Sequence, residues 1–235
     1  VGISSSFHKK LGEDTVDQEE LEAAQKFELD NPELVCRWRL AGGVLPLDNR
    51  HLRALSRRVV AQKDVSPHLI AWAKQHIEGT LKEGSQEYPD GVLMILLESN
   101  GQAAMTVGPY QSLEESSVLS LAGRARISQR EEQQTHCAPE VLWLVKDGKL
   151  IAGISEESVR SGATSLVLDL AQTLHEPTEF NPDVVAQVFD GTADFDEAFL
   201  TSDEHGVVCA SDAEGEIGER FLFGYKKLCE IKAAK

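Results

Sequence analysis

The sequence predicts a mixed α/β (α+β) fold, and three observations carry that prediction. Residues 141–150, Val-Leu-Trp-Leu-Val-Lys-Asp-Gly-Lys-Leu, read as a strand, a tight Asp147-Gly148 turn and a second strand. A helix follows, entered through Gly162-Ala163-Thr164, and Leu166, Val167, Leu170, Ala171 and Leu174 give it one apolar face. Upstream, residues 34–107 read in the order strand, helix, helix, strand, strand. A chain of 235 residues, 41% of them hydrophobic, can bury a sizeable core as one large domain or two small ones.

The elements follow in order. Residues 1–33 form an acidic N-terminal extension, in which Glu13, Asp14, Asp17, Glu19, Glu20 and Glu22 far outnumber the lysines. Residues 17–29 suit a short acidic helix with Leu21 and Phe27 as weak anchors. The extension is either solvated or laid on a partner. Leu34-Val35-Cys36-Arg37-Trp38-Arg39-Leu40 alternates like a strand, and Ala41-Gly42-Gly43 turns the chain. Residues 47–61 read as a helix capped by Asp48, with Leu52, Leu55, Val59 and Val60 near one face. Ser66 caps, and Pro67 opens, a second helix that runs to about Lys82. Tyr88-Pro89-Asp90-Gly91 leads into the strand 92–97, and Ser99-Asn100-Gly101 returns it over 102–107. Beyond residue 174 come a loop, an apolar stretch over 184–189, a strand ending in Thr201-Ser202, and a last helix over 218–231 with Phe221, Tyr225 and Leu228 inward.

Composition removes several function classes. The net charge of −16 argues against nucleic acid or an anionic membrane surface, since phosphate binding needs clustered Lys and Arg. No apolar run reaches the ~18 residues that would span a bilayer. Cys36, Cys137, Cys209 and Cys229 make no paired ligand spacing, so no metal site is expected and the thiols read as reduced and mostly buried. No nucleophile elbow, Walker loop or His-Glu-x-x-His occurs. The start at Val1, with no initiator Met and no signal-type apolar region, is what a mature protein looks like after a targeting segment is removed. The expected location is organellar, mitochondrial in the first instance, with the cytoplasm as the alternative.

The hairpin 141–150, the Gly162-Ala163-Thr164 loop, the His51-Leu52-Arg53-Ala54-Leu55 stretch and the run Asp194-Phe195-Asp196-Glu197-Ala198-Phe199-Leu200-Thr201-Ser202 together resemble the fold-type IV pyridoxal-phosphate enzymes. Those enzymes include branched-chain and D-amino-acid aminotransferases and aminodeoxychorismate lyase. The resemblance implies two subdomains, a small one at 34–113 and the remnant of a larger one at 141–235. A shortened linker at 114–140 joins them, so the larger subdomain is truncated. It implies that Gly162, Ala163, Thr164, Thr201 and Ser202 stand where the family holds a cofactor phosphate. The physics of such a loop is general, because free N–H groups and the positive end of a helix dipole attract an anion. The plainer reading is that Ser161 or Thr164 simply caps the helix.

The chemistry around that loop is missing. The family's phosphate-binding arginine corresponds to Ala54; Arg53 is adjacent, but one residue on a helix is a turn of about 100°. Residues 83–145 contain no lysine to form the Schiff base. Arg124 and Arg126 cannot substitute, because guanidinium stays protonated. Glu140 does not fall where the glutamate that pairs with the ring nitrogen belongs. Lys146 and Lys149 sit at a hairpin tip, and Asp203-Glu204 would repel an anion. The expectation is a non-catalytic pseudoenzyme with no cofactor and no catalytic residue, serving as an interaction subunit of a larger assembly or as a homodimer. The alternatives are a divergent pyridoxal-phosphate aminotransferase or lyase using a distant lysine such as Lys146, and a phosphate sensor at Gly162–Thr164.

Overall fold

The computed structural model describes residues 34–98 and 101–234. The acidic extension 1–33, its possible helix and two residues of the Ser99-Asn100-Gly101 turn lie outside them. The smaller sheet has the order β1-β4-β5, built from β1 (Leu34–Arg39), β4 (Val92–Leu97) and β5 (Ala103–Gly108), all antiparallel. Alternation in β1 buries Leu34, Cys36 and Trp38 on one face and leaves Val35 and Arg37 outside. Against that face pack α1 (Asp48–Leu55), α2 (Pro67–Gly79) and the short α3 (Leu81–Gly84).

The helix expected over 47–61 ends early, at Leu55. Ala61 and Gln62 adopt positive φ of 48° and 62°, and this left-handed pair turns β2 (Val59–Val60) back onto β3 (Lys63–Asp64) as a small antiparallel hairpin. The β-branched pair Val59-Val60 prefers that arrangement to another helical turn. Ser66 caps α2 as expected, its hydroxyl accepting from the Leu69 N–H at 3.2 Å. That helix stops at Thr80, whose hydroxyl donates to the His76 carbonyl at 3.0 Å.

The larger sheet has the order β10-β9-β6-β7-β8 and is antiparallel except where β7 meets β8. Its strands are β6 (Val141–Lys146), β7 (Lys149–Ala152), β8 (Thr178–Phe180), β9 (Glu197–Ser202) and β10 (Gly206–Cys209). β6 is central and buried on both sides, which explains its unbroken apolar run. On one face Val141, Trp143 and Val145 meet α5 (Gly162–Leu174) and α7 (Glu216–Ala233). On the other Leu142 and Leu144 meet α4 (Val118–Thr135) and α6 (Val184–Asp190). Residues 118–135, within the stretch read as a shortened linker, form an 18-residue helix. Ser117 caps it, Val118, Leu121, Ala122 and Ala125 bury its inner face, and His136 ends it in a left-handed turn. Among the described residues no helix is long and apolar enough to cross a membrane, and no group of residues is arranged to hold a metal ion.

Candidate functional site

The loop before α5 and the β9–β10 turn come together on one side of the larger sheet, where β1 and α1 of the smaller subdomain cover them. Ser161 is the N-cap of α5: its hydroxyl accepts from the Thr164 N–H at 3.1 Å and donates to Thr164 Oγ1 at 2.9 Å. Thr164 Oγ1 lies 2.8 Å from Thr201 Oγ1, which also accepts from Trp143 Nε1 at 3.0 Å. Ser202 Oγ accepts from the N–H groups of Glu204 at 3.2 Å and His205 at 3.1 Å. Gly162, Ala163, Thr164, Thr201 and Ser202, far apart in sequence, are thus gathered at one place, and all are buried. Their hydrogen bonds run to one another or to close neighbours: Thr164 to Thr201 and Ser161, Thr201 to Trp143, and Ser202 to the turn that follows it.

The anion-attracting end of α5 already holds an anion, the carboxylate of Asp203. The Ala163 N–H donates to Asp203 Oδ1 at 2.9 Å. His51 Nδ1 lies 3.2 Å from Asp203 Oδ2, close enough for charge attraction but too oblique for a well-formed hydrogen bond. The Asp203 side chain keeps 15% of its exposure. Burial pushes its carboxyl pKa up, but His51, the Ala163 N–H and the more distant Arg58 outweigh burial and hold it below the usual value. His51 is fixed in turn by stacking on Trp38, with centroids 4.9 Å apart and planes 10° apart. Gly162 permits the approach, since a Cβ there would stand 2.7 Å from His51 Nδ1. A phosphate group brought to the same N–H would meet the Asp203 carboxylate, and like charges repel.

The remaining sequence-derived candidates lie elsewhere. Ala54 is buried in the α1 core; Arg53 faces a separate cleft with Arg50, Arg57 and Arg160. Arg160 donates to the Glu156 carbonyl and lies over Phe180, away from the loop. Arg124 and Glu140 grip one another at 3.0 and 2.9 Å. Glu204 does the same with Arg37, at 2.7 and 2.8 Å. Lys146 is at the exposed hairpin tip between Asp194 and Asp196, whose hydrogen bonds raise its pKa and keep it protonated. A nucleophilic amine needs the opposite shift.

Beside this network, and bounded by β1, α4, the 137–140 segment and the β9–β10 turn, is a cavity of about 240 Å³. Ser161, Ser202 and Asp203 line it, and among the described residues no lysine does. Arg58 and Ser128 also line it, and sequence reasoning missed both. The signal for Arg58 was present, because it falls in strand alternation with the buried Val60 while Val59 between them is only half-buried.

No family model and no curated protein matches the sequence. Solved structures do. A hypothetical aminotransferase from Mycobacterium tuberculosis, in its PLP-bound form, superposes with a TM-score of 0.57 at 14% identity, over 87% of this chain and 93% of that one. A candidate branched-chain amino acid aminotransferase from Thermotoga maritima gives 0.56 at 17% identity, over 93% and 91%. A fold IV transaminase from Curtobacterium pusillum gives 0.53 at 11% identity, over 85% and 84%. The chain therefore has the fold of the type IV pyridoxal-phosphate-dependent aminotransferases.

Proposed function

We propose that this protein is a non-catalytic, aminotransferase-like subunit that serves as an interaction component of a larger protein assembly. The observation that carries the reading is the Asp203 carboxylate seated on the Ala163 N–H, where a phosphate-binding loop of this fold would present its donors. The described residues do not fit pyridoxal phosphate: the Ala163 and Thr164 N–H donors of the loop are taken, Ala54 offers no charge, and no described residue lining the adjoining cavity brings an amine to form a Schiff base. The interaction half of the proposal rests on the outer helices. Leu119 and the 69%-exposed Ile127 stand two turns apart on α4; the 66%-exposed Phe223 and Ile231 repeat that spacing on α7. These exposed apolar side chains are where a partner is expected to contact the two helices.

Two measurements test the two halves. Purified protein mixed with pyridoxal phosphate is expected to show no yellow internal Schiff base and no borohydride-fixed label. A label on a single lysine would replace this reading with that of a divergent aminotransferase or lyase. The native protein is expected to co-elute with other subunits or as a homodimer on sizing with light scattering, and a stable, monodisperse monomer would overturn the assembly reading.

A further inference from the structure

Arg58 is 6% exposed, and its guanidinium is always protonated. Among the described residues, only Nη1 of its donors has a partner, the Cys36 sulfur at 3.1 Å, while Nε is buried with none. A buried cation without a counterion is costly. Asp203 and Glu131 attract Arg58 at a distance, but among the described residues no carboxylate bonds it. Burial pushes the Cys36 thiol up, and the Cys137 thiol up to about 12, so both stay neutral. Asp203 is held on the Ala163 N–H and His51. Arg58 nevertheless borders an open cavity.

Two further donors line the same cavity with their own protons unused. Ser202 Oγ and Ser128 Oγ each serve only as acceptors, Ser128 from the Glu140 N–H at 2.7 Å. The other charges there cancel in the Arg37–Glu204 and Arg124–Glu140 pairs, while Asp203 and Glu131 leave a negative bias against a dianion. A small, singly charged carboxylate matches the single guanidinium charge. Val35, Ile127 and Pro139 on the walls suit a short aliphatic body. The cavity is smaller than the ~300–1,000 Å³ of a typical drug-sized site.

We propose that this cavity is a binding site for a small aliphatic monocarboxylate, with Arg58 as its charge partner and Ser202 and Ser128 as hydroxyl donors. Ser202 is shared with the residues that the family resemblance points to, but the site uses none of the N–H donors of α5 and needs no pyridoxal phosphate, so it stands or falls separately from the non-catalytic reading.

The test is a titration of the full-length protein with carbon-13 propionate followed by NMR, against chloride at matched ionic strength. The expected result is saturable binding on the order of millimolar. R58M, folded by circular dichroism, is expected to bind roughly tenfold more weakly or worse. Inorganic phosphate at neutral pH is expected to compete poorly. Binding no better than chloride, full binding by R58M, or stronger binding of phosphate would each overturn the proposal. If R58M does not fold, the arginine Nε–H signals of the wild-type protein decide: a buried arginine signal shifting saturably with propionate supports the site, and no shift overturns it. Ultraviolet absorbance of a Cys36 thiolate at neutral pH, lost in C36S, would show an internal counterion and would also overturn it.

Discussion

Asp203 is the residue on which the site turns. The sequence reading expected its charge to repel an incoming anion, but missed that Asp203 would itself occupy the loop. That required His51, remote in sequence and carried by another subdomain, to be stacked on Trp38 and aimed at it. The folded pKa of Asp203 lies below its unfolded value. The stabilisation is therefore complete above the unfolded pKa of about 3.9 and is lost as pH falls through the lower folded value. Denaturant midpoints should fall steeply below about pH 4 in the wild type and less steeply in D203N. At neutral pH, D203A should lose about 1–3 kcal/mol by leaving the Ala163 N–H buried and unpaired. Gly162→Ala should cost about 1–3 kcal/mol by urea denaturation, because its methyl group would press on His51.

At the scale of elements, the alternation of β1, the apolar run of β6 and the Asp147-Gly148 turn were legible because each is a local pattern with one physical reading. The end of α1 was not, since Val59 and Val60 satisfy a helical face and a strand equally well until the left-handed Ala61-Gln62 pair decides. β8 escaped notice because a three-residue strand is specified by its parallel neighbour β7, not by its own sequence. The start of α7 also depends on a distant group: Glu197 accepts from the N–H groups of Ile217 at 3.0 Å and Gly218 at 2.9 Å, where no residue of the helix itself caps. E197A should therefore destabilise the protein by about 1 kcal/mol, read as a lower midpoint in thermal or chemical unfolding.

At the scale of the whole molecule, the β9–β10 turn links the larger sheet to β1 and α1. The Arg39 N–H donates to the Asp203 carbonyl at 2.9 Å, Arg37 grips Glu204, and His51 faces Asp203, while Arg50 reaches Ser165 and Asp169 on α5. Scanning calorimetry should show one cooperative transition for the wild type and a broadened or split one for the R37A/D203A double variant. The exposed Arg37–Glu204 pair adds only about 0.2–1 kcal/mol to that coupling. This long-range link was invisible in the sequence because its partners share no periodicity. The Asp203 carboxylate has a further consequence. It is a competitor tethered to its own receptor, and even a flexible tether gives an effective concentration on the order of millimolar. A free anion with the same intrinsic affinity for the Ala163 N–H would have to reach a comparable concentration to displace it.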